Sequence, residues 1–127
     1  MFMPIIFFIF CVITMQLLGK WKGQVVALKQ FDAETIAWED FWKEVALLTV
    51  TQHPLTVRFY GACSKGTKPF MCIDYFKRGS LEKTLARNVN HSYPIDDSLI
   101  VNMAMNAANG LNFLHSKHII HRYVYAM

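Results

Sequence analysis

Two side chains of opposite charge, Lys29 and Glu44, are the residues of this chain best suited to chemistry. Lys29 ends an apolar, β-branched run, where an ammonium group is costly to bury unless it has a partner. Glu44 lies beside Phe41 and Leu48 on the helical stripe that should face the sheet. These positions permit a Lys29–Glu44 ion pair. On these two residues alone, an ordinary lysine at a strand end and a solvated glutamate on a helix are favoured, and only the order of the motifs along the whole chain favours the pair.

Three histidines, His115, His118 and His121, recur at every third position. This spacing can place two imidazoles on one helix face, and zinc accepts three histidine ligands. However, residues 116–117 are predicted to end the helix, and residues 119–120 to form a buried strand. We therefore predict no metal site and keep a zinc site as the weaker alternative.

The elements that position Lys29 and Glu44 follow from the periodicity of the apolar residues. Residues 24–29 are apolar and β-branched, and they predict a strand. Between residues 32 and 50 the spacing predicts an amphipathic helix. Its apolar residues are Trp38, Phe41, Trp42, Val45 and Leu48. The His53-Pro54 dipeptide ends this helix, because the residue before a proline avoids the helical region.

The second half of the chain predicts two further strands and two helices. Residues 57–60 and 70–75 predict strands, with a turn at residues 64–69 between them. Ser80 is the candidate N-cap of a short helix. A longer helix is entered through residues 94–97, and its apolar stripe is Ile100, Met103, Ala104, Ala107, Leu111 and Leu114. Because strands and helices are segregated along the chain, we predict the α+β class.

The first 18 residues contain no charged side chain. As a helix they would rise about 27 Å, just short of a hydrocarbon core of about 30 Å. Positive charge begins at Lys20 and Lys22, so insertion would leave residues 19–127 in the cytoplasm. We predict a candidate membrane anchor at residues 1–18 and one domain at residues 19–127. The alternative for the first segment is a buried strand.

Composition limits the remaining classes of function. The formal net charge is +4, but the thirteen basic residues are scattered, so we predict no nucleic-acid partner. Cys11, Cys63 and Cys72 are odd in number and widely spaced. This usage favours reduced thiols in a cytoplasmic protein.

The order of these motifs resembles the catalytic domain of protein kinases, in particular the tyrosine-kinase-like group. The strand that ends at Lys29 reads Val-Ala-Leu-Lys, where the family has Val-Ala-Ile-Lys. The helix that carries Glu44 resembles helix C, and residues 73–81 resemble the hinge and the start of helix D. Residues 107–122 resemble helix E and the opening of the catalytic loop. Single motifs of this length are weak, but their shared order is specific.

The resemblance implies both a fold and a ligand. The implied fold is a protein-kinase-like small lobe, with an antiparallel sheet plus helix C, joined to the first helices of the large lobe as an incomplete domain. The implied ligand is ATP with Mg²⁺, and the paired ammonium of Lys29 would point toward the α- and β-phosphates. The implied adenine contacts are Ala27, the gatekeeper Ile73 and the backbone of Asp74, Tyr75 and Phe76.

The chain departs from the family at the phosphate and metal sites. The Gly-rich loop, G-x-G-x-x-G, should lie just upstream of the strand that ends at Lys20, but only Gly19 and Gly23 are near. Backbone N–H groups of that loop are main phosphate donors in the family. The catalytic-loop asparagine and the Asp-Phe-Gly magnesium ligand would fall past residue 127, so the magnesium ligands are absent from this chain.

The catalytic loop departs from the family at one decisive position. The chain reads His121-Arg122-Tyr123 where kinases have His-Arg-Asp. The kinase aspartate accepts the proton of the substrate hydroxyl. The Tyr123 phenol is neutral near pH 7, with a reference pKa of about 10, and cannot take that role.

These features predict a kinase-like domain with residual ATP binding and no catalysis. An alternative of another class is a non-catalytic interaction module that docks to a partner kinase. A third hypothesis is an incomplete product whose genomic neighbour encodes the missing motifs. The residues that separate serine, threonine and tyrosine specificity would lie past Met127, so the acceptor class stays open.

Overall fold

A computed structural model describes residues 15–79, 81, 84–86 and 95–120. The described strands form one antiparallel sheet in the order β1-β2-β4-β3. These strands are β1 (Met15–Trp21), β2 (Gln24–Gln30), β3 (Phe59–Cys63) and β4 (Phe70–Asp74). The two long helices are α1 (Trp38–Val50) and α2 (Asp97–Ser116). The segregated strands and helices confirm the predicted α+β class.

The β1–β2 hairpin fixes the register of the strand that carries Lys29. Its loop residues Lys22 and Gly23 have φ angles of 47° and 81°. Both values lie in the left-handed region, which two-residue hairpin loops use to match the strand twist. Ala27 of β2 then faces Ile73 of β4 across the sheet. The hairpin and this pairing place β2 in the interior of the sheet.

Helix α1 begins later than predicted, at Trp38 rather than near residue 32. The carboxylate of Asp32 accepts a hydrogen bond from the Glu34 N–H at 3.1 Å. The Asp32 carbonyl accepts one from the Ile36 N–H at 2.9 Å. These bonds hold a turn before the helix, since aspartate readily bonds to nearby backbone groups.

The third strand also begins later than predicted, at Phe59 rather than residue 57. The Thr56 hydroxyl donates to the Thr51 carbonyl and accepts from the His53 N–H at 3.1 Å. These bonds hold the chain after α1 in a compact turn. The strand therefore starts only beyond that turn, and β4 ends one residue earlier than predicted, at Asp74.

Helix α2 is capped by Asp96, as its predicted entry through residues 94–97 requires. The Asp96 carboxylate accepts from the Leu99 N–H at 2.7 Å. The C-terminal half of the helix packs inward. Leu114 is buried, and the ring of Phe113 stacks on His53 with centroids 4.4 Å apart. This half therefore lies against the segment that links α1 to β3.

The apolar spacing that predicted α2 does not correspond to a uniformly buried face. Ile100 is 46% exposed, and Ala104 is also exposed. The contacts that bury α2 within the described residues lie at its C-terminal half. The predicted cap Ser80 lies outside the described residues.

Residues 15–18 of the predicted apolar segment belong to β1. Residues 1–14 lie outside the described residues. A helix of 14 residues would rise only about 21 Å, less than a hydrocarbon core of about 30 Å. Within the described part of the chain, no helix is both long and apolar enough to cross a membrane. The anchor stays a prediction, restricted to residues 1–14.

Candidate functional site

The Lys29–Glu44 ion pair forms in the structure. The Lys29 ammonium nitrogen lies 2.6 Å from Oε1 of Glu44. The two side chains are only 11% and 12% exposed. Such a short contact is typical of a charge-assisted hydrogen bond. Because water is largely excluded, each charge depends on the other for compensation.

The ion pair is positioned by matched spacings on the strand and the helix. Lys29 lies in β2, and Phe31 follows two residues later, just past the end of the strand. On α1, Phe41 and Glu44 are three residues apart and share one face of the helix. The Phe31 and Phe41 rings meet edge to face with centroids 5.3 Å apart. The Lys29 ammonium also lies 5.2 Å from the centre of the Phe31 ring. The contact between these two rings therefore holds α1 at the position along β2 at which Glu44 reaches Lys29.

Phe41 is the anchor of α1 and is only 1% exposed. Its ring makes edge contacts with Trp38 at 5.6 Å and Trp42 at 5.1 Å. Such aromatic pairs add about 0.5–1.5 kcal/mol beyond the burial of area. Phe31 was missed in the sequence analysis, although its position two residues after Lys29 was a usable signal.

Ala27 and Ile73 share a sheet face with Lys29. Ala27 lies two residues before Lys29 on β2, and strand side chains alternate between faces. Ile73 lies directly opposite Ala27 on β4. Both are buried, and with Val57 they form a small core. The ammonium thus lies at the border between the apolar face of the sheet and helix α1.

The three residues after this core leave the sheet in a turn. β4 ends at Asp74, and Tyr75 is 40% exposed. The Phe76 side chain packs against the Ala27 core, and its carbonyl accepts from the Gly79 N–H at 2.9 Å. Gly79 has a φ of 77°, a conformation that glycine adopts without strain. The segment predicted to be the hinge is therefore restrained at its start by β4 and at its end by the turn at Gly79.

Tyr60 forms a hydrogen-bonded group that the sequence analysis missed. Its hydroxyl donates to Oδ1 of Asp74 at 2.7 Å and accepts from the Gln24 side-chain amide at 2.9 Å. Burial, together with the Asp74 carboxylate, raises the pKa of Tyr60 above its usual value, while the nearby Arg58 opposes this change. No sequence signal joined these residues, because the register of three strands brings them together.

The predicted catalytic-loop residues His121, Arg122 and Tyr123 lie outside the described residues, as does the segment before β1 where the Gly-rich loop was expected. His118 follows α2 with a φ of 59°. Among the described residues, no three histidine, cysteine, aspartate or glutamate side chains are grouped to hold a metal ion. The weaker zinc alternative therefore gains no support.

Comparison with known proteins identifies the family. The chain matches the family described as protein tyrosine and serine/threonine kinase over residues 11–127. A probable serine/threonine-protein kinase of Dictyostelium discoideum is 36% identical over 106 residues, covering 82% of this chain and 7% of that protein. The tyrosine-protein kinase Btk of Drosophila melanogaster is 33% identical over 112 residues, covering 82% and 13%. The cytoplasmic tyrosine-protein kinase BMX of Homo sapiens is 33% identical over 106 residues, covering 83% and 15%.

The chain belongs to the protein tyrosine and serine/threonine kinase family. Members of this family use ATP and Mg²⁺. The sheet and α1 correspond to the predicted small lobe of this fold. The chain spans between 7% and 15% of the length of these three relatives.

Removing one partner of the ion pair should destabilise the protein more than replacing both. Glu44→Leu leaves a nearly buried ammonium without its carboxylate, and removal of one partner costs about 3–5 kcal/mol in buried pairs. The double variant Lys29→Met, Glu44→Leu should recover much of that loss. Urea unfolding of the wild type, both single variants and the double variant measures the coupling.

The exposed pair between Lys43 and Glu39, 2.7 Å apart on α1, is the matched control. Water screens both of its charges, so the same cycle made with Lys43→Met and Glu39→Leu should give a far smaller coupling energy. A coupling energy for Lys29 and Glu44 no larger than that of this control would contradict the assigned role of the buried pair.

Ionisation of Tyr60 should weaken folding at alkaline pH. Its pKa is raised in the folded state, so folding favours the protonated phenol. This contribution is fully present below the unfolded pKa of about 10 and is lost as the pH rises through the folded pKa. The stability advantage of the wild type over Tyr60→Phe in urea unfolding should therefore shrink as the pH rises above about 10. An advantage that grows over this range would contradict the raised pKa.

Proposed function

We propose that this chain is a kinase-type nucleotide-binding domain that holds ATP weakly and transfers no phosphate. The observation that carries the proposal is the Lys29–Glu44 pair, with its ammonium held 2.6 Å from the carboxylate. A single donor held in place binds a phosphate oxygen with less loss of side-chain freedom than a mobile lysine. The family's use of ATP and Mg²⁺ supports the same ligand.

The adenine end of the proposed site is formed by the apolar face next to Lys29. Ala27 would pack on the adenine ring, and Ile73 would limit the depth of the pocket as the gatekeeper. The backbone of Asp74, Tyr75 and Phe76 would supply hydrogen-bond partners for the purine edge. Support comes from the position of Ala27 and Ile73, which lie opposite one another on the sheet face that also carries Lys29.

The proposed loss of phosphoryl transfer rests on Tyr123. The sequence reads His121-Arg122-Tyr123 at the catalytic loop. A neutral phenol, with a reference pKa of about 10, does not accept the proton of an attacking hydroxyl near pH 7. Groups that act as one catalytic unit are strongly non-additive, so the loss of one should lower turnover by orders of magnitude.

The proposed location of the ATP site is the cytoplasm. The three widely spaced cysteines, which favour reduced thiols, support this location. If residues 1–14 contact a membrane, the positive charge that begins at Lys20 places residues 19–127 on the cytoplasmic side.

Binding and transfer can be tested separately on the full chain with Mg-ATP. Titration calorimetry should detect weak binding that Lys29→Met reduces roughly ten- to hundredfold, the effect of a lost charged hydrogen bond. Lys20→Met, which removes an exposed lysine from β1, should leave the affinity unchanged. Incubation with γ-labelled ATP and a generic protein substrate should yield no labelled product. Phosphate incorporation that Lys29→Met abolishes would overturn the claim of inactivity.

A second proposal, of another class, is that the domain docks to a partner kinase without catalysis of its own. It is supported by large apolar side chains on the helices, with Trp42 of α1 51% exposed and Ile100 of α2 46% exposed. Apolar surface of this kind is often a partner surface. Met103 and Leu111 on the same helix are half-buried.

Sedimentation velocity tests the docking proposal with the purified kinase domain of human BMX as the probe. A mixture with the full chain should contain a heavier species that Trp42→Glu or Ile100→Glu removes. Trp21→Glu changes an exposed apolar residue on β1 and should leave that species intact. Two independent sedimenting species in the wild-type mixture would count against docking.

A further inference from the structure

Asp74, the last residue of β4, is hydrogen-bonded to Tyr60 of β3 and to Arg58, the residue just before β3. Asp74 receives the Tyr60 hydroxyl on Oδ1 at 2.7 Å. Its Oδ2 lies 3.4 Å from the backbone N–H of Arg58, and the Asp74 N–H donates to the Arg58 carbonyl at 3.0 Å. Asp74 is thus hydrogen-bonded to Arg58 through its backbone and its carboxylate, and to Tyr60 through its carboxylate.

These bonds lie where the regular sheet ladder is interrupted. The β3–β4 register shifts between Phe59 and Gly61, so a bulge falls beside Tyr60. A bulge leaves a residue unpaired and disrupts the ladder locally. The side chains of Tyr60 and Asp74 bridge the two strands at this gap.

A third strand joins the same group. The Gln24 amide, at the first position of β2, donates to the Tyr60 hydroxyl at 2.9 Å. The hydroxyl therefore acts as donor to Asp74 and acceptor from Gln24, which uses its hydrogen-bonding capacity well. The Arg58 guanidinium lies 5.5 Å from the centre of the Tyr60 ring and restrains the ring from one side. Tyr60 is thereby tied to β2 and β4 at the end of the sheet from which the hinge leaves.

We propose that Tyr60 and Asp74 form a clamp that positions the backbone of residues 74–76 for the purine edge of a nucleotide. Tyr60 is a positioning residue in this role, since its side chain acts through Asp74 rather than on the ligand. The inference rests on the proposed nucleotide site. It adds that the hinge geometry is set by a side-chain bond from β3 and not by the sheet ladder alone.

The clamp can be tested without a ligand by amide hydrogen exchange on the full chain. Tyr60→Phe removes the donor and Asp74→Ala the acceptor, whereas Asp74→Asn keeps a carbonyl oxygen for the Tyr60 hydroxyl. The protection factor of the residue 74 amide should fall roughly three- to tenfold in the first two variants and recover in the third. The Thr51 amide, which bonds to Leu47 at the end of α1, is the reference and should not change.

Affinity for Mg-ATP provides the second measurement. It should fall roughly three- to tenfold with Tyr60→Phe or Asp74→Ala and recover with Asp74→Asn. Unchanged protection at residue 74 in Tyr60→Phe overturns the clamp. Changed protection with unchanged ATP affinity overturns its positioning role. If the wild type binds no ATP, the nucleotide site and the positioning role both fail, and the exchange data still decide whether the clamp exists.

Discussion

The ion pair between Lys29 and Glu44 is the constraint on which the arrangement of sheet and helix depends. Two nearly buried charges tolerate little separation, because each loses most of its hydration. Their contact requires one position of α1 along β2 and one rotation of α1 about its own axis. The buried ring of Phe41 fixes both, because it contacts the Phe31 ring close to the charged groups. The contact between Phe31 and Phe41 thus places α1 against the sheet, and the Lys29–Glu44 ion pair disfavours other placements of the helix.

The same strand carries proposed binding groups of different chemistry, which the alternation of side chains places on one face. Ala27 and Lys29 share a face of β2, so an apolar surface and a positive charge lie about 7 Å apart along the strand. The interior place of β2 in the sheet then brings Ile73 opposite Ala27. A nucleotide has the same order of parts, an apolar ring system followed by anionic phosphates. The match follows from the register of the sheet and needs no mobile loop.

Features that depend on local periodicity could be predicted from the sequence, and those that depend on register could not. The strand that ends near Lys29 and the helix with Glu44 follow from apolar spacing, whereas their contact was predicted from the kinase-like order of the motifs. The start of β3 was misplaced because hydroxyl bonds of Thr56 outweighed β propensity. The link from Tyr60 to Asp74 was missed since it depends on a bulge between strands far apart in sequence.

The proposed nucleotide binding and the proposed loss of phosphoryl transfer involve different parts of this chain. The proposed binding groups lie on β2, α1 and the end of β4, whereas the altered catalytic position is Tyr123. A group that acts only in the transition state lowers turnover when it is lost, without weakening the binding of the ground state. A tyrosine at that position is therefore expected to lower turnover without weakening the proposed contacts at Lys29 and Ala27. The proposed binding and the proposed loss of chemistry can thus coexist in one chain, provided that the hinge and the ion pair keep their positions.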